Sequence, residues 1–310
     1  MSRIVIALGG NALGNNPKEQ KKLVDIPAAK IVSLIKEGHE VIVGHGNGPQ
    51  VGMIVNSFAN ADVIKANKFN MPFPEAGGMS QGYIGFHLQN AIYNELKKVG
   101  IKKDVQYILT QTLVDGNDPA FKNPTKPVGP FYDTKKEGEE ANPGSIVVED
   151  AGRGFRKVVA SPLPIGFLGL DAIKNTVESG AIAIVCGGGG IPTIETKTGF
   201  EGVDGVIDKD FALAKMAAGL KADKLVILTG VEKIAINWGK PDQKGLDRCT
   251  VEEIQKHIAD NQFAPGSMLP KVEAAIAFLR DNPTGEALIA HLEKVEDSIN
   301  GKNGTIIVSK

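Results

Sequence analysis

The chain has 310 residues, 42% of them hydrophobic and 23% charged, which is enough apolar material for a sizeable core and excludes global disorder. Thirty-five basic against 36 acidic residues leave a formal charge of −1, without the basic excess that a nucleic-acid platform or a polybasic membrane anchor needs. Aromatic residues, at 5%, are too few for many base-stacking surfaces, whereas 37 glycines without a collagen-like period point to tight turns and close backbone approaches.

Arg3–Leu8 is the first strand candidate. Its apolar run ends at Gly9-Gly10, too short for a secretory core of about 7–15 residues or a membrane helix of about 18, so the expected compartment is the cytosol. A helical pattern follows, with Leu23, Ile26, Ile31, Leu34 and Ile35 on one side and Gly38 as its C′ residue. Glu40–Val43 reads as a strand, then Gln50–Ala61 and Ser80–Val99 as helices and Val105–Leu109 as a strand. Further along, helices are predicted at Asp171–Ser179, Asp208–Gly219, Val251–Ala259, Pro270–Arg280 and Gly285–Glu293. Strands are predicted at Ala181–Cys186, Leu225–Leu228 and Thr305–Val308. Most strand candidates are near-continuous Val/Ile/Leu runs, as in a parallel sheet buried on both faces. The expected fold class is therefore α/β, an open, mostly parallel central sheet sandwiched by helices.

One stretch breaks this rhythm. Residues 115–164 hold seven of the 17 prolines and the charged run Lys135-Lys136-Glu137-Gly138-Glu139-Glu140, out of place inside a compact sheet and better suited to a small protruding subdomain. Cys186 and Cys249 stand apart, with no CxxC or His-rich partner, so neither a disulfide framework nor a zinc site is expected.

Three strand ends run into glycine turns: Leu8-Gly9-Gly10-Asn11, Gly44-His45-Gly46-Asn47-Gly48-Pro49 and Cys186-Gly187-Gly188-Gly189-Gly190. Glycines at the carboxyl ends of such strands let backbone N–H groups approach an anion, and a helix that follows, with Pro49 at its N1 position, adds its positive end. Any one of them is equally explained as a tight βα connection; three together favour anion binding. The common nucleotide fingerprints are missing. There is no GxxxxGK[ST], both near-matches to GxGxxG run into proline (Pro49 and Pro192), and Asp210-Phe211-Ala212 lacks the glycine of a protein-kinase DFG.

Asp208-Lys209-Asp210 opens a helical pattern. Either aspartate serves as an N-cap, but Lys209 opposes the helix dipole unless an anion sits beside it. Lys271 repeats the arrangement after Gly266-Ser267-Met268, and Lys126 sits in the stiff frame Asn123-Pro124-Thr125-Lys126-Pro127; each is also readable as a solvated lysine. Trp238, the one tryptophan, either covers a flat ring or plugs a core edge, the core being the stronger local reading. The five histidines have neither triad nor metal spacing, and His45 is taken as structural.

Taken in order, Ala7–Ala12, Gly46–Gly52, Asn123–Gly129, Glu149–Gly154, Cys186–Pro192, Ile207–Asp210 and Ala264–Lys271 closely resemble the carbamate kinases of the amino acid kinase superfamily, along the whole chain. The resemblance implies a lobe over 1–205 for carbamate or carbamoyl phosphate, including the protruding subdomain of about 115–164, and a nucleotide lobe over 206–310. It implies a homodimer and reversible phosphoryl transfer, ATP and carbamate giving ADP and carbamoyl phosphate, run toward ATP in arginine fermentation, with Mg²⁺ accompanying the nucleotide and no protein metal site. By resemblance, Lys126, Lys209 and Lys271 act on the phosphates and Asp210 orients Lys209 and Lys271. Gly9, Gly10, Asn11, Gly46, Asn47 and Gly48 hold the substrate phosphoryl. Thr229, Gly230, Val231, Trp238, Gly266, Ser267 and Met268, with Lys209 and Lys271, hold the nucleotide. Ala7 stands where many relatives in the wider superfamily carry a lysine, a role the resemblance transfers to Lys126. Carbamate already carries an anionic oxygen, so this chemistry needs positioned positive charge rather than a general base. Two rivals remain in view: a related kinase with another acceptor, against which Ala7 and Lys126 argue, and a non-catalytic nucleotide or anion sensor, against which the four charged residues argue.

Overall fold

The computed structural model describes residues 1–9, 13–14, 16–59, 65, 71–150 and 152–310. Its centre is one eight-stranded sheet built from β1 (Arg3–Leu8), β2 (Glu40–His45), β3 (Val105–Tyr107), β4 (Ile182–Val185), β5 (Lys224–Thr229), β6 (Arg248–Thr250), β7 (Glu286–His291) and β8 (Thr305–Val308). Across the sheet the order is β6-β8-β7-β5-β1-β2-β4-β3, and every pair is parallel except β7 with β8. The order reverses around β1, whose carboxyl end therefore meets those of β2 and β5, the place where open α/β sheets hold ligands.

Both faces are covered, which is why the strands are apolar throughout. Ile4, Ile6 and Leu8 of β1 point into one core, shared with α1 (Asp25–Lys36) and with α3 (Phe73–Lys98), which follows α2 (Gly48–Phe58). Val5 and Ala7 point into the other, shared with α4 (Leu170–Glu178), α5 (Lys209–Gly219), α6 (Val251–Ala259) and α7 (Met268–Asp281). Gly44 lets α5 lie close on the sheet, since a Cβ there would stand 2.3 Å from the Leu213 side chain.

The structure corrects the reading of residues 285–293, predicted as a helix. Glu286–His291 is a central strand, hydrogen-bonded to β5 on one side and β8 on the other. Ile26 also departs from expectation: it is 45% exposed rather than on the buried side of its helix. Four strands that had no apolar signature, Gln111–Val114, Pro164–Phe167, Ile191–Thr196 and Gly199–Gly202, form a second sheet beside the first.

Within the proline-rich excursion, Lys126–Tyr132, Val147–Glu149 and Phe155–Val159 make a separate three-stranded antiparallel sheet, with the helix Lys135–Ala141 against it. Asp118 pins both ends of the excursion: one oxygen caps the turn at Pro119–Phe121 and the other accepts the Leu163 N–H at 2.9 Å.

Candidate active site

The site starts from a helix cap. Asp208 precedes α5 in an extended conformation, and its Oδ1 accepts the Asp210 N–H at 3.0 Å. That bond fixes the first turn, so Lys209 and Asp210 leave the helix end in set directions. Asp210 is buried, 2% exposed, and takes an ammonium on each oxygen: Lys209 Nζ donates to Oδ1 at 2.7 Å, and Lys271 Nζ, from the first turn of α7, donates to Oδ2 at 2.8 Å. Burial pushes this carboxyl up, but the charges and hydrogen bonds of Lys209 and Lys271 outweigh it and hold it below the usual range. The second oxygen of Asp208 receives Lys126 Nζ at 3.3 Å. Three ammonium groups from three distant parts of the chain thus converge on two carboxylates.

Two cavities meet at this cluster. The smaller, about 280 Å³, is lined by Gly46, Asn47, Gly48, Lys126, Gly188, Asp208, Asp210, Gly266 and Ser267, among others. The larger, about 430 Å³, is lined by Gly9, Thr229, Gly230, the aliphatic Leu23, Ile26 and Leu292, and the polar His291 and Glu293. Lys209 and Lys271 line both. A phosphoryl group held between these lysines is accessible from either side.

Buried polar groups build the glycine walls. Gly46 spends its N–H on Leu8 O at 3.1 Å, which ties the Gly46–Gly48 turn to the end of β1. Asn47 Nδ2 donates to Ser80 Oγ at 2.9 Å, which in turn donates to Gly77 O at 2.6 Å. The Gly187–Gly190 turn lies against this side chain, with a Cβ at Gly188 (φ +66) only 2.1 Å from Asn47 Nδ2. A Cβ at Gly189 would stand 2.2 Å from Ile207 O, which brings the turn onto the segment leading to Asp208. Behind it His45 is wholly buried: Nδ1–H donates to Gly46 O at 2.9 Å and Nε2 accepts the Tyr107 hydroxyl at 3.1 Å. Burial lowers its pKa to about 4, so the imidazole is neutral and structural.

Of the residues singled out in the sequence, Lys126, Lys209, Asp210, Lys271, Gly46, Asn47, Gly48, Gly266 and Ser267 come together at the smaller cavity, and Gly9, Thr229 and Gly230 at the larger. Gly10 and Asn11 lie outside the described residues. Val231, Trp238 and Met268 line neither cavity. Trp238 is 61% exposed, which corrects the core reading: Asn237 and Gly239 on either side adopt positive φ, and that turn carries the ring outward. Sequence reasoning passed over Ser80 and the Lys126 contact of Asp208, since a lone serine within a helix carries no signal and an N-cap explains Asp208 by itself.

The sequence profile of the amino acid kinase family matches residues 2–286. The carbamate kinase-like protein of Mycoplasma pneumoniae is 55% identical over 308 residues, 99% of this chain and 100% of that protein. The carbamate kinase of Staphylococcus haemolyticus is 51% identical over 309 residues, 99% of each chain. Among solved structures, the carbamate kinase of Giardia lamblia bound to AMP-PNP superposes with a TM-score of 0.92 at 41% identity, covering 99% of this chain and 98% of that one.

Proposed function

The chain belongs to the amino acid kinase family and, within it, to the carbamate kinases, and from that premise we propose that it transfers a phosphoryl group reversibly between ATP and carbamate. The observation that carries this reading is the convergence of Lys126, Lys209 and Lys271 on Asp208 and Asp210 where two cavities meet. In the direction of ATP formation, a terminal oxygen of ADP attacks phosphorus, and the bond from phosphorus to the carbamoyl oxygen breaks. Nucleophile and leaving group are both anionic oxygens, so no proton has to move in the step. The work left to the protein is to place the reactants in line and to offset the charge on the transferring oxygens, which three ammonium groups and the N–H donors of Asn47 and Gly48 do.

Carbamoyl phosphate would occupy the smaller cavity, under Lys126 and the Gly46–Gly48 turn, its phosphoryl group toward the larger cavity that Gly9 lines; Gly10 and Asn11, which the resemblance also assigns to it, lie outside the described residues. ADP would approach past Thr229, Gly230, Gly266, Ser267 and Met268 at the start of α7, its adenine toward Val231 and Trp238. The lobe of residues 1–205 then serves the carbamoyl side and that of 206–310 the nucleotide, with β1 and β5 joining them in one sheet. Asp208 and Asp210, the acids at the junction of the cavities, already hold lysines, so Mg²⁺ would arrive on the nucleotide phosphates, where it offsets their charge.

The protein would act as a homodimer through α3, where Met79, Phe86 and Tyr93 expose large apolar surfaces at a spacing of seven residues. Tyr93 ties this stripe to the free edge of the main sheet, its hydroxyl accepting the Val105 N–H at 3.0 Å. A two-fold axis would set this stripe against its own copy, the same patch serving both subunits. Among the described residues no helix is long and apolar enough to cross a membrane. A cytoplasmic enzyme making ATP at the end of arginine fermentation is the setting this chemistry suits.

The test is ATP formation from ADP, Mg²⁺ and carbamoyl phosphate, with acetyl phosphate as comparison donor. Fast, donor-selective ATP production supports the reading. Folded protein that binds ADP and makes no ATP from carbamoyl phosphate would move the assignment to a relative with another acceptor, or to a sensor.

A further inference from the structure

Asp208 joins the excursion to the catalytic helix. Its Oδ1 holds the N-cap bond of α5 while its Oδ2 holds Lys126, which lies 82 residues earlier at the start of the excursion sheet. The pairing is one of a series along the segment before α5. Lys157 Nζ reaches Asp204 at 3.5 Å, the Val206 N–H donates to Ala160 O at 2.9 Å, and Ala160 forms a parallel bridge with Gly205. The excursion is therefore seated along residues 204–208, and the last tie of the series ends on the ammonium of Lys126. A symmetry of roles results: on either side of Lys209, Asp208 holds Lys126 and Asp210 holds Lys271.

We propose that Asp208 is the positioning residue for Lys126, an inference that rests on the kinase reading, in which Lys126 acts on the transferring phosphoryl group. A lysine on a flexible four-carbon stem loses much of its freedom when it is held, and an unheld one spreads over many rotamers. Asp208 is set by its cap bond, so it returns the ammonium to one place at the mouth of the smaller cavity. The pair is half-open to solvent, with side-chain exposures of 38% for Lys126 and 21% for Asp208. An arriving phosphoryl group can therefore take over the ammonium without extracting a buried ion.

Asp208→Asn separates the two roles, because an asparagine oxygen still caps the helix while the charge is gone. Acylation of the intact protein with acetic anhydride, read by peptide mass mapping, reports on the pairing without reference to activity. Lys126 labelling relative to exposed Lys135 should rise about threefold or more in Asp208→Asn as the ion pair is released. An unchanged ratio overturns the inference even if the wild type makes ATP. In the ATP-forming assay, Asp208→Asn should lower kcat by about 10- to 100-fold, as expected for a displaced catalytic group, with the KM for ADP within about twofold. The double variant Asp208→Asn, Lys126→Ala should be no slower than Lys126→Ala alone. Additive losses would overturn the inference, assigning Asp208 to the helix cap only. Failure of the functional reading shows separately, as a wild type that makes no ATP, and the labelling ratio then decides the pairing.

Discussion

Lys209 and Lys271 grip opposite oxygens of one carboxylate, at 2.7 and 2.8 Å from Asp210, although one lysine is its chain neighbour and the other lies on a different helix. The arrangement settles two requirements together. Two like charges are held near each other by the shared carboxylate, and their ammonium groups are set before any phosphate arrives.

Asp210→Asn should therefore cost both activity and stability. The expected fall in kcat is about 10²- to 10³-fold, as for loss of preorganised electrostatic stabilisation. With two half-buried lysines left sharing an uncharged amide, unfolding free energy at neutral pH should drop on the order of 3 kcal/mol. Its pH dependence has a defined sign. The folded carboxyl titrates below its ordinary 3.8, so its stabilisation is complete above that value and lost as pH falls through the lower folded value. Urea unfolding should show a constant gap between wild type and variant from about pH 8 to 5, narrowing only below about pH 4. A gap that narrows already at pH 6 would contradict the ion-pair account.

On the proposed mechanism Lys126→Ala removes one donor to the transferring group, and it leaves Asp208 as a bare cap. We expect kcat to fall at least about 10²-fold with ADP affinity nearly unchanged. Steady-state ATP formation and ADP titration check the two halves, and wild-type turnover in the variant would remove Lys126 from the mechanism.

Much of this site was legible because charges at helix starts are hard to explain by folding alone. Lys209 and Lys271 both sit where a cation opposes the helix dipole, and both proved to face one buried acid. The central sheet was legible for a similar reason: strands such as Val5–Leu8, buried on both faces, leave no room for polar residues. Glu286–His291 was misread because Glu, Ala and Leu favour helix locally, and only its pairing with β5 and β8 makes it a strand. The second sheet left no trace because its strands are partly exposed and hold Thr, Pro and Gly, as in Ile191–Thr196 and Gly199–Gly202. Nor did any local pattern announce that Lys126 would meet Asp208; contacts across 82 residues belong to the topology.

Phe86→Glu tests the dimer face. Phe86 is 62% exposed at the centre of the Met79–Phe86–Tyr93 stripe, so a charge there costs the isolated subunit little. Sedimentation should show a dimer for the wild type and a monomer for the variant, with the far-ultraviolet spectrum unchanged. A variant that still dimerises would move the interface elsewhere.

His45 gives stability a slope between pH 6.5 and 4. Its folded pKa lies near 4 against an ordinary 6.5, so below pH 6.5 the unfolded chain takes up a proton that the folded one refuses. The stabilisation from the neutral imidazole is complete above pH 6.5 and fades as the pH falls toward 4, by about 3 kcal/mol in total. His45→Gln keeps a donor and an acceptor without the titration. Subtracting its urea-derived stability from that of the wild type across this range should expose the slope, and parallel curves would refute it.

Gly188→Ala probes the link between the glycine turn and substrate grip. At φ +66 an alanine is strained by about 1–2 kcal/mol, and its Cβ would press on Asn47 Nδ2 from 2.1 Å. Asn47 is the far end of a movable side chain, so the fold should survive and the amide should shift off its Ser80 bond. The cost then falls on whatever Asn47 holds: loss of one hydrogen bond to a charged group, about 1.5–3 kcal/mol, raises the KM for carbamoyl phosphate by about 10- to 100-fold. The KM for ADP should stay within about twofold if, as proposed, the nucleotide approaches from the Thr229–Gly230 side. Gly116→Ala is the control, with a nearest neighbour at 3.7 Å and no positive φ, and should leave both constants alone. If Gly188→Ala raises both KM values together, the turn supports the whole cleft rather than the phosphoryl side, and Asn47 loses its assigned part.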